Sequence, residues 1–197
     1  MPPESQDRRV RRSRAALMEA AVRLVSQRGT TAVPVTDLTE AADVSRKLLY
    51  LHYGDRDALL VAAAVDLVTR ELLPRIESAP KGPQPRALEM ARHFAEHRAF
   101  YRAMLTGSCA FAMTRALHDL FGSFMGRAAP ELFEDVAADT AQDLAAFVAG
   151  GAIAVVNDWL INSDDPLDPE ELTARLNRLR TALTGIRSAP VDEAHDR

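Results

Sequence analysis

TDLTEAADVSRKLLYLHYGDR, residues 36–56, decides how this chain is read. Leu38, Ala41 and Ala42 fall at i, i+3 and i+4, one face of a helical repeat, and predict a short first helix. Asp43 and Val44 make a turn, with Val44 as an apolar plug. Ser45 is a good N-cap for a second helix, Arg46 to His52, whose Leu49 points back at Leu38 and Val44. Gly54 can end that helix in a left-handed conformation, and Asp55 can cap the next. Two short helices joined by such a turn form a helix-turn-helix, whose second helix enters a DNA major groove. Ser45, Arg46 and Lys47 stand at its N-terminus, where free amides and the helix dipole favour phosphate. Tyr50, His52 and Tyr53 add donors at the other end, and Arg56 follows on the next helix. An ordinary helical corner with a solvated basic end would carry the same local pattern.

The flanking sequence separates these readings. Arg11-Arg12-Ser13-Arg14 leads an amphipathic helix through Ala20, Ala21 and Leu24 to Gly29. Val44-Ser45, Tyr50-Leu51-His52-Tyr53 and Asp55-Arg56-Asp57-Ala58-Leu59-Leu60 then follow in order. Over about residues 10–62 this succession resembles the TetR-type transcriptional repressors, named for the tetracycline repressor. The resemblance implies an all-α protein, with a three-helix DNA-binding domain followed by a helical ligand-binding and dimerisation domain. It implies a ligand-released repressor acting as a homodimer on a roughly palindromic double-stranded operator. An activator built on the same scaffold would have the same sequence signature. Arg46, Lys47, Leu48 and Leu51 would face bases, while Thr36, Ser45, Tyr50, His52 and Arg56 would hold phosphates. Three positions depart from the family pattern. Thr39 replaces a usual Ala, Asp43 a usual Gly, and Leu48 a usual small hydroxyl residue. Asp tolerates a left-handed backbone, so the turn is expected to survive. Leu48 cannot hydrogen-bond a base edge but can pack on a thymine methyl.

Composition is consistent with a cytoplasmic regulator. The chain has 197 residues and one cysteine, Cys109, which excludes an internal disulfide. Net charge is −4, but residues 1–60 hold ten Lys/Arg against eight Asp/Glu, and seven arginines fall within residues 8–28. An acidic body carrying a basic reading head is compatible with DNA, because only the face near phosphate must be positive. The first residues lack the apolar core of a signal peptide. The most apolar run, Phe147 to Val156, is too short to span a bilayer, so no membrane partner is expected.

Beyond the head every segment reads as helix. Expected boundaries are a disordered tail over 1–9, the head over 10–60, the body over 61–187 and a disordered tail over 188–197. One helix should run from Asp55 to Pro74, and another from Pro85 or Arg86 to Leu105. A third should cover Ser108 to Met125, followed after Pro130 by a long helical region to Ile161 with a break near 137–140. In the last helix Asp168 is the cap, Pro169 the first residue, Glu171 the capping-box partner and Gly185 the stop.

Three constellations compete for the body's function. Phe94, His97, Tyr101, Met104, Phe111, Phe121, Phe124 and Trp159 are candidate lining for a pocket holding an unidentified small effector, although a packed core uses the same residue types. Gly150, Gly151 and Val155 lie in a small-residue segment, and Leu172, Leu176, Leu179 and Leu183 form a stripe. Adjacent helical glycines suit close helix approach, inside the body or across a dimer axis, and the resemblance favours the dimer. Finally, His93-Phe94-Ala95-Glu96-His97 matches the H-x-x-E-H zinc-peptidase string. The alternative function is therefore a helical metal-binding protein or metal-dependent enzyme built on His93 and His97. No third ligand is identifiable in the sequence, so no catalytic residue, metal or cofactor is assigned.

Overall fold

The computed structural model describes residues 3–132 and 137–186, with side chains from 8 to 122, at 137 and from 139 to 182. All regular structure among them is helical. The head consists of α1 (Pro3–Arg28), α2 (Val35–Ala41) and α3 (Arg46–Tyr53). The helix α4 (Arg56–Leu67) leaves it, passes through a π-helical turn (Val68–Leu72) and continues as α5 (Leu73–Ser78). The body adds α6 (Pro83–Glu96), α7 (Arg98–Thr106), α8 (Ala110–Leu132), α9 (Ala138–Asn162) and α10 (Pro169–Ile186).

The local signals around the turn act as read. The Ser45 hydroxyl accepts the Leu48 amide, and the Asp55 carboxylate accepts the Ala58 amide at 2.7 Å. Gly29 (φ 63°) and Gly54 (φ 81°) end their helices in the positive-φ region. Asp43 has φ 52°, the left-handed turn expected of a residue in the usual glycine position. Thr39 is buried without loss because its hydroxyl donates back to the Val35 and Thr36 carbonyls, each at 3.0 Å. Leu17, Val25, Leu38, Leu49 and Leu59 are fully buried and lock the three head helices onto α4.

Several boundaries differ from expectation. The N-terminal helix begins at Pro3, so the expected tail over 1–9 is mostly helix. The tail expected over 188–197 lies outside the described residues. The run toward Pro74 does not stay α-helical: its ring cannot follow the Arg70 carbonyl in a regular turn, and the chain widens into the π-turn just before it. The expected helix to Leu105 is two, broken at His97 (φ −107°, ψ 22°). The α8 helix extends through Pro130 to Leu132, and a new helix starts at Ala138, as the expected break requires. The Asp168 carboxylate accepts the Glu170 and Glu171 amides, which caps α10, while Gly185 lies inside that helix, one residue short of its end.

The apolar run 147–156 belongs to a longer element. Over Asp139–Asn162, α9 has a mean hydropathy of 1.8 and is, among the described helices, the one long and apolar enough to cross a bilayer. It packs here as a body helix, burying Ala141, Ala145, Ala149, Val156, Trp159 and Leu160 while α8 lies along it. The Arg98 guanidinium closes the α9–α10 loop, donating to the Leu160 carbonyl at 3.2 Å and also to the Ser163 carbonyl and Asp165. Leu49 is the one wholly buried side chain of α3. Leu49→Ala is therefore expected to lower stability by about 2–5 kcal/mol. Chemical denaturation checks this, and a change below about 1 kcal/mol would show that α3 is not held through Leu49.

Candidate nucleic-acid interface

The outward face of α3 is built from its capped N-terminus. Ser45, Arg46 and Lys47 are exposed, Leu51 is 72% exposed and Tyr50 52%. With Leu49 turned into the core, these side chains stand together on one free surface. Leu48 is half-buried beside them, its amide tied to the Ser45 cap. Arg8, Arg9, Arg11, Arg12 and Arg14 add exposed positive charge along α1.

Other expected contacts are arranged differently. His52 is turned partly inward, and its Nε2 is buried without a partner among the described residues, so that nitrogen cannot reach a phosphate in this conformation. The Tyr53 hydroxyl is directed at the protein itself, donating to the Arg14 carbonyl at 3.3 Å, while the Arg14 guanidinium lies 5.7 Å from its ring centroid. Arg56 pairs through Nε with Asp57 at 2.8 Å, so it is presented as half of an ion pair. Thr36 is half-buried and its hydroxyl donates to Asp37. Two arginines assigned to the basic face work as braces: Arg28 holds Asp37 at 2.6 Å, and Arg23 donates to the Ala41 carbonyl at 3.3 Å. Both tie α1 to α2 and set the angle at which α3 is offered.

Head and body meet at a contact that the sequence does not signal. The Ser108 amide donates to the Thr31 hydroxyl at 3.3 Å. A Cβ on Gly107 would lie 2.3 Å from Thr31 Oγ1 and 2.8 Å from the Ala103 carbonyl oxygen. Burial alone would raise the nearby Asp57 carboxyl, but hydrogen bonds from Arg56 and Ser108 hold it below its usual range. The start of α4, the α1–α2 loop and the α7–α8 turn are thereby fastened together.

The expected pocket residues are dispersed. Phe94, Tyr101, Met104 and Trp159 are buried in the core, with Phe94 and Tyr101 rings 4.8 Å apart, and Phe121 packs against it. Phe111 is 81% exposed and lines no interior space, a correction that follows from its place on the outer face of α8. Phe124 lies outside the described side chains. A recess of about 350 Å³ lies elsewhere, between α6 and α10, lined by Gln84, Pro85, Leu88, Glu170, Thr173 and Ala174.

The expected dimer residues also divide. Leu172 is fully buried and Leu176 and Val155 pack on the core, so these three stabilise the subunit itself. Gly150 is half-buried, its Cβ direction facing the His118 ring of α8 at 3.8 Å. Gly151 is exposed with nothing within 4 Å of a Cβ among the described residues, Phe147 is 69% exposed and Leu179 46%. Leu183 lies outside the described side chains.

The two histidines do acquire a third neighbour. Glu71, from the π-turn, meets His97 Nε2 at 2.9 Å, and ligand atoms of Glu71, His93 and His97 lie within 4.8 Å of one another. His93 Nε2 and the Tyr101 hydroxyl share a 2.9 Å hydrogen bond. Burial first, then the neighbouring His97 and Arg75 charges, lowers the His93 pKa to about 3, so its ring is neutral at pH 7. Only the fold brings Glu71 here, from 22 residues before His93.

A capped, exposed, basic recognition helix in a three-helix head, carried on a helical body, defines a helix-turn-helix DNA-binding regulator. Residues 17–63 match the family of bacterial regulatory proteins, tetR family, and residues 82–181 match a transcriptional regulator C-terminal region. The chain belongs to the TetR family of transcriptional regulators. It is 26% identical over 184 residues to the HTH-type transcriptional regulator AlkX of Mycobacterium tuberculosis, covering 93% of this chain and 78% of that one. A TetR-family regulator from Rhodococcus sp. shares the fold at TM-score 0.61 and 20% identity, over 87% of this chain and 97% of that one. The TetR family repressor AlkX from Dietzia sp. strain DQ12-45-1b, implicated in biodegradation of n-alkanes, does so at TM-score 0.55 and 20% identity, with the same coverage.

Gly107→Ala is expected to destabilise the protein by about 1–3 kcal/mol by forcing Thr31 from the α7–α8 turn. Thr31→Ala in the same chain should recover part of that loss. Equilibrium unfolding of the single and double variants measures the coupling, and strict additivity would contradict a shared contact.

Proposed function

We propose that the chain is a cytoplasmic, ligand-released repressor that reads a roughly two-fold symmetric operator as a homodimer. The observation that carries the reading is the exposed face of α3, where Arg46, Lys47, Tyr50 and Leu51 stand exposed beside an N-terminus capped by Ser45. Arg46, Lys47, Leu48 and Leu51 address base edges, while Ser45, Tyr50 and the α1 arginines hold phosphates. Thr36 and Arg56 reach phosphate by exchanging their present partners Asp37 and Asp57. Residues 10–60 form the reading unit and 61–187 the regulatory unit, and the chain acts by binding and not by catalysis. An effector of the body works by favouring a different angle of α4, which lowers the DNA-competent population. The n-alkane connection of the Dietzia AlkX makes a long apolar molecule the first candidate.

One head contacts one half-site, so tight specific binding requires a second copy, with recognition helices about 34–36 Å apart. The α9 face bearing Phe147, Gly151 and Ala154 is the candidate contact, because a large exposed apolar side chain next to small residues suits close helix packing.

Selection of bound DNA from a random pool should yield a symmetric motif, and its affinity should fall about a thousandfold or more between ~50 and ~200 mM salt. Tyr50→Ala should weaken all sequences alike, while Lys47→Ala should cost about 1–3 kcal/mol at one base position and relax the preference there. Failure to enrich any motif, or an unchanged preference in Lys47→Ala, contradicts the assignment.

Gly151→Leu tests the dimer. Among the described residues nothing lies within 4 Å of a Cβ at Gly151, so the substitution should leave the fold intact. It should overpack a two-fold contact by about 1–3 kcal/mol or more and dissociate the dimer. Sedimentation at micromolar concentration beside circular dichroism decides. A folded variant that stays fully dimeric moves the interface elsewhere.

A further inference from the structure

We propose that Glu71, His93 and His97 form a binding site for a divalent transition-metal ion of the zinc type, tying the π-turn of the linker helix to α6. The donor set is two imidazoles and one carboxylate, the combination that binds Zn²⁺ with three protein ligands and one position left open. In a tetrahedral site with metal–ligand bonds of about 2.1 Å, the ligand atoms stand about 3.4 Å apart. Here they lie within 4.8 Å, and Glu71 Oε2 to His97 Nε2 is already 2.9 Å. Closing around an ion therefore needs side-chain adjustment only.

The surroundings carry the inference further than proximity does. His93 is fully buried, and its Nδ1 has no hydrogen-bond partner among the described residues, an arrangement that costs free energy unless something binds there. Its other nitrogen is held by the Tyr101 hydroxyl at 2.9 Å. That is the pattern of a ligating histidine, one nitrogen on the metal and the other oriented by an outer hydrogen bond. With a metal on Nδ1, the Nε2 proton is donated to the Tyr101 oxygen. His97 and Glu71 are each partly exposed, with side-chain exposures of 24% and 29%, which leaves an entry path. Glu71 reaches the histidines from a π-turn, a distortion often found at functional sites. The H-x-x-E-H string misleads on one point: Glu96 pairs with Arg75 at 2.8 Å, and the carboxylate beside the histidines is Glu71.

The metal site stands apart from the DNA-binding reading. Only its consequence rests on that reading: fastening Glu71 to α6 fixes the helix that leaves the head, and so changes operator affinity.

The test uses full-length protein stripped with a chelator. Calorimetric titration with Zn²⁺ should give one ion per chain, and Co²⁺ should develop the visible absorption of a tetrahedral site. Glu71→Gln and His97→Ala should each weaken Zn²⁺ binding at least tenfold, and Tyr101→Phe about 10–100-fold. His118→Ala, whose ring pairs with Asp119 on α8, should leave the titration unchanged. Zn²⁺ should raise the melting temperature of wild type but not of Glu71→Gln. No saturable Zn²⁺ uptake by wild type, or equal uptake by folded Glu71→Gln and His97→Ala, overturns the site and leaves a hydrogen-bonded polar cluster. Selected DNA should bind wild type with altered affinity when Zn²⁺ is added and Glu71→Gln without change. Unaltered affinity in a protein that does take up Zn²⁺ overturns the coupling and not the site.

Discussion

One apolar seam, shared by both halves of the molecule, is the constraint from which the rest follows. Leu59, Leu60, Ala63, Ala64, Leu67, Val68, Leu72 and Ile76 are all buried along the single rod of α4, π-turn and α5. The head closes on its first part through Leu17, Leu38 and Leu49, and the body continues from it through Phe100, Tyr101, Met104 and Leu160 in one cluster. Burial at about 25 cal/mol per Å² makes this seam a large stabilising contribution, and it joins head and body in one continuous cluster. Any change in the angle of the rod must reposition α3, because packed cores switch between arrangements and do not bend smoothly.

The reading surface is in consequence a by-product of packing. With Leu49 turned inward, helical periodicity puts Lys47 and Leu51 on the opposite side of α3, and Arg46 and Tyr50 are exposed on its flanks. The braces Arg28–Asp37 and Arg23 to Ala41 then fix the pitch of α2 against α1. An exposed ion pair and an exposed hydrogen bond each contribute little stability, so their value is geometric. The same arginine type thus serves two ends along α1: the early residues are exposed, and Arg23 and Arg28 brace α2.

Where polar chemistry enters the body, it does so at the seam's irregular points. The π-turn before Pro74 and the break at His97 face one another, and the interior hydrogen bonds of Glu71, His97, His93 and Tyr101 gather there. Backbone irregularity is what lets long polar side chains enter between helices that elsewhere meet through Leu and Ala.

Much was legible in the sequence because it depends on neighbours in the chain. The Ser45, Asp55 and Asp168 caps, the positive φ of Asp43, Gly29 and Gly54, and the buried Leu38–Leu49 pair are short-range consequences of residue type and spacing. The all-helical class and the helix-turn-helix followed from them. What only the tertiary structure decided depends on residues far apart. Periodicity marks an apolar face but not what covers it, so Leu172 reads like Leu179 although one is core and the other exposed. Phe100 and Phe111 are the same residue type, yet tertiary packing buries the first and leaves the second outside. His52 and Tyr53 carry the right donors, but their direction is set by contacts with α1 and the core. Glu71 became a neighbour of His93 and His97 because a proline-induced widening of one helix met a break in another, and no local pattern encodes such a meeting.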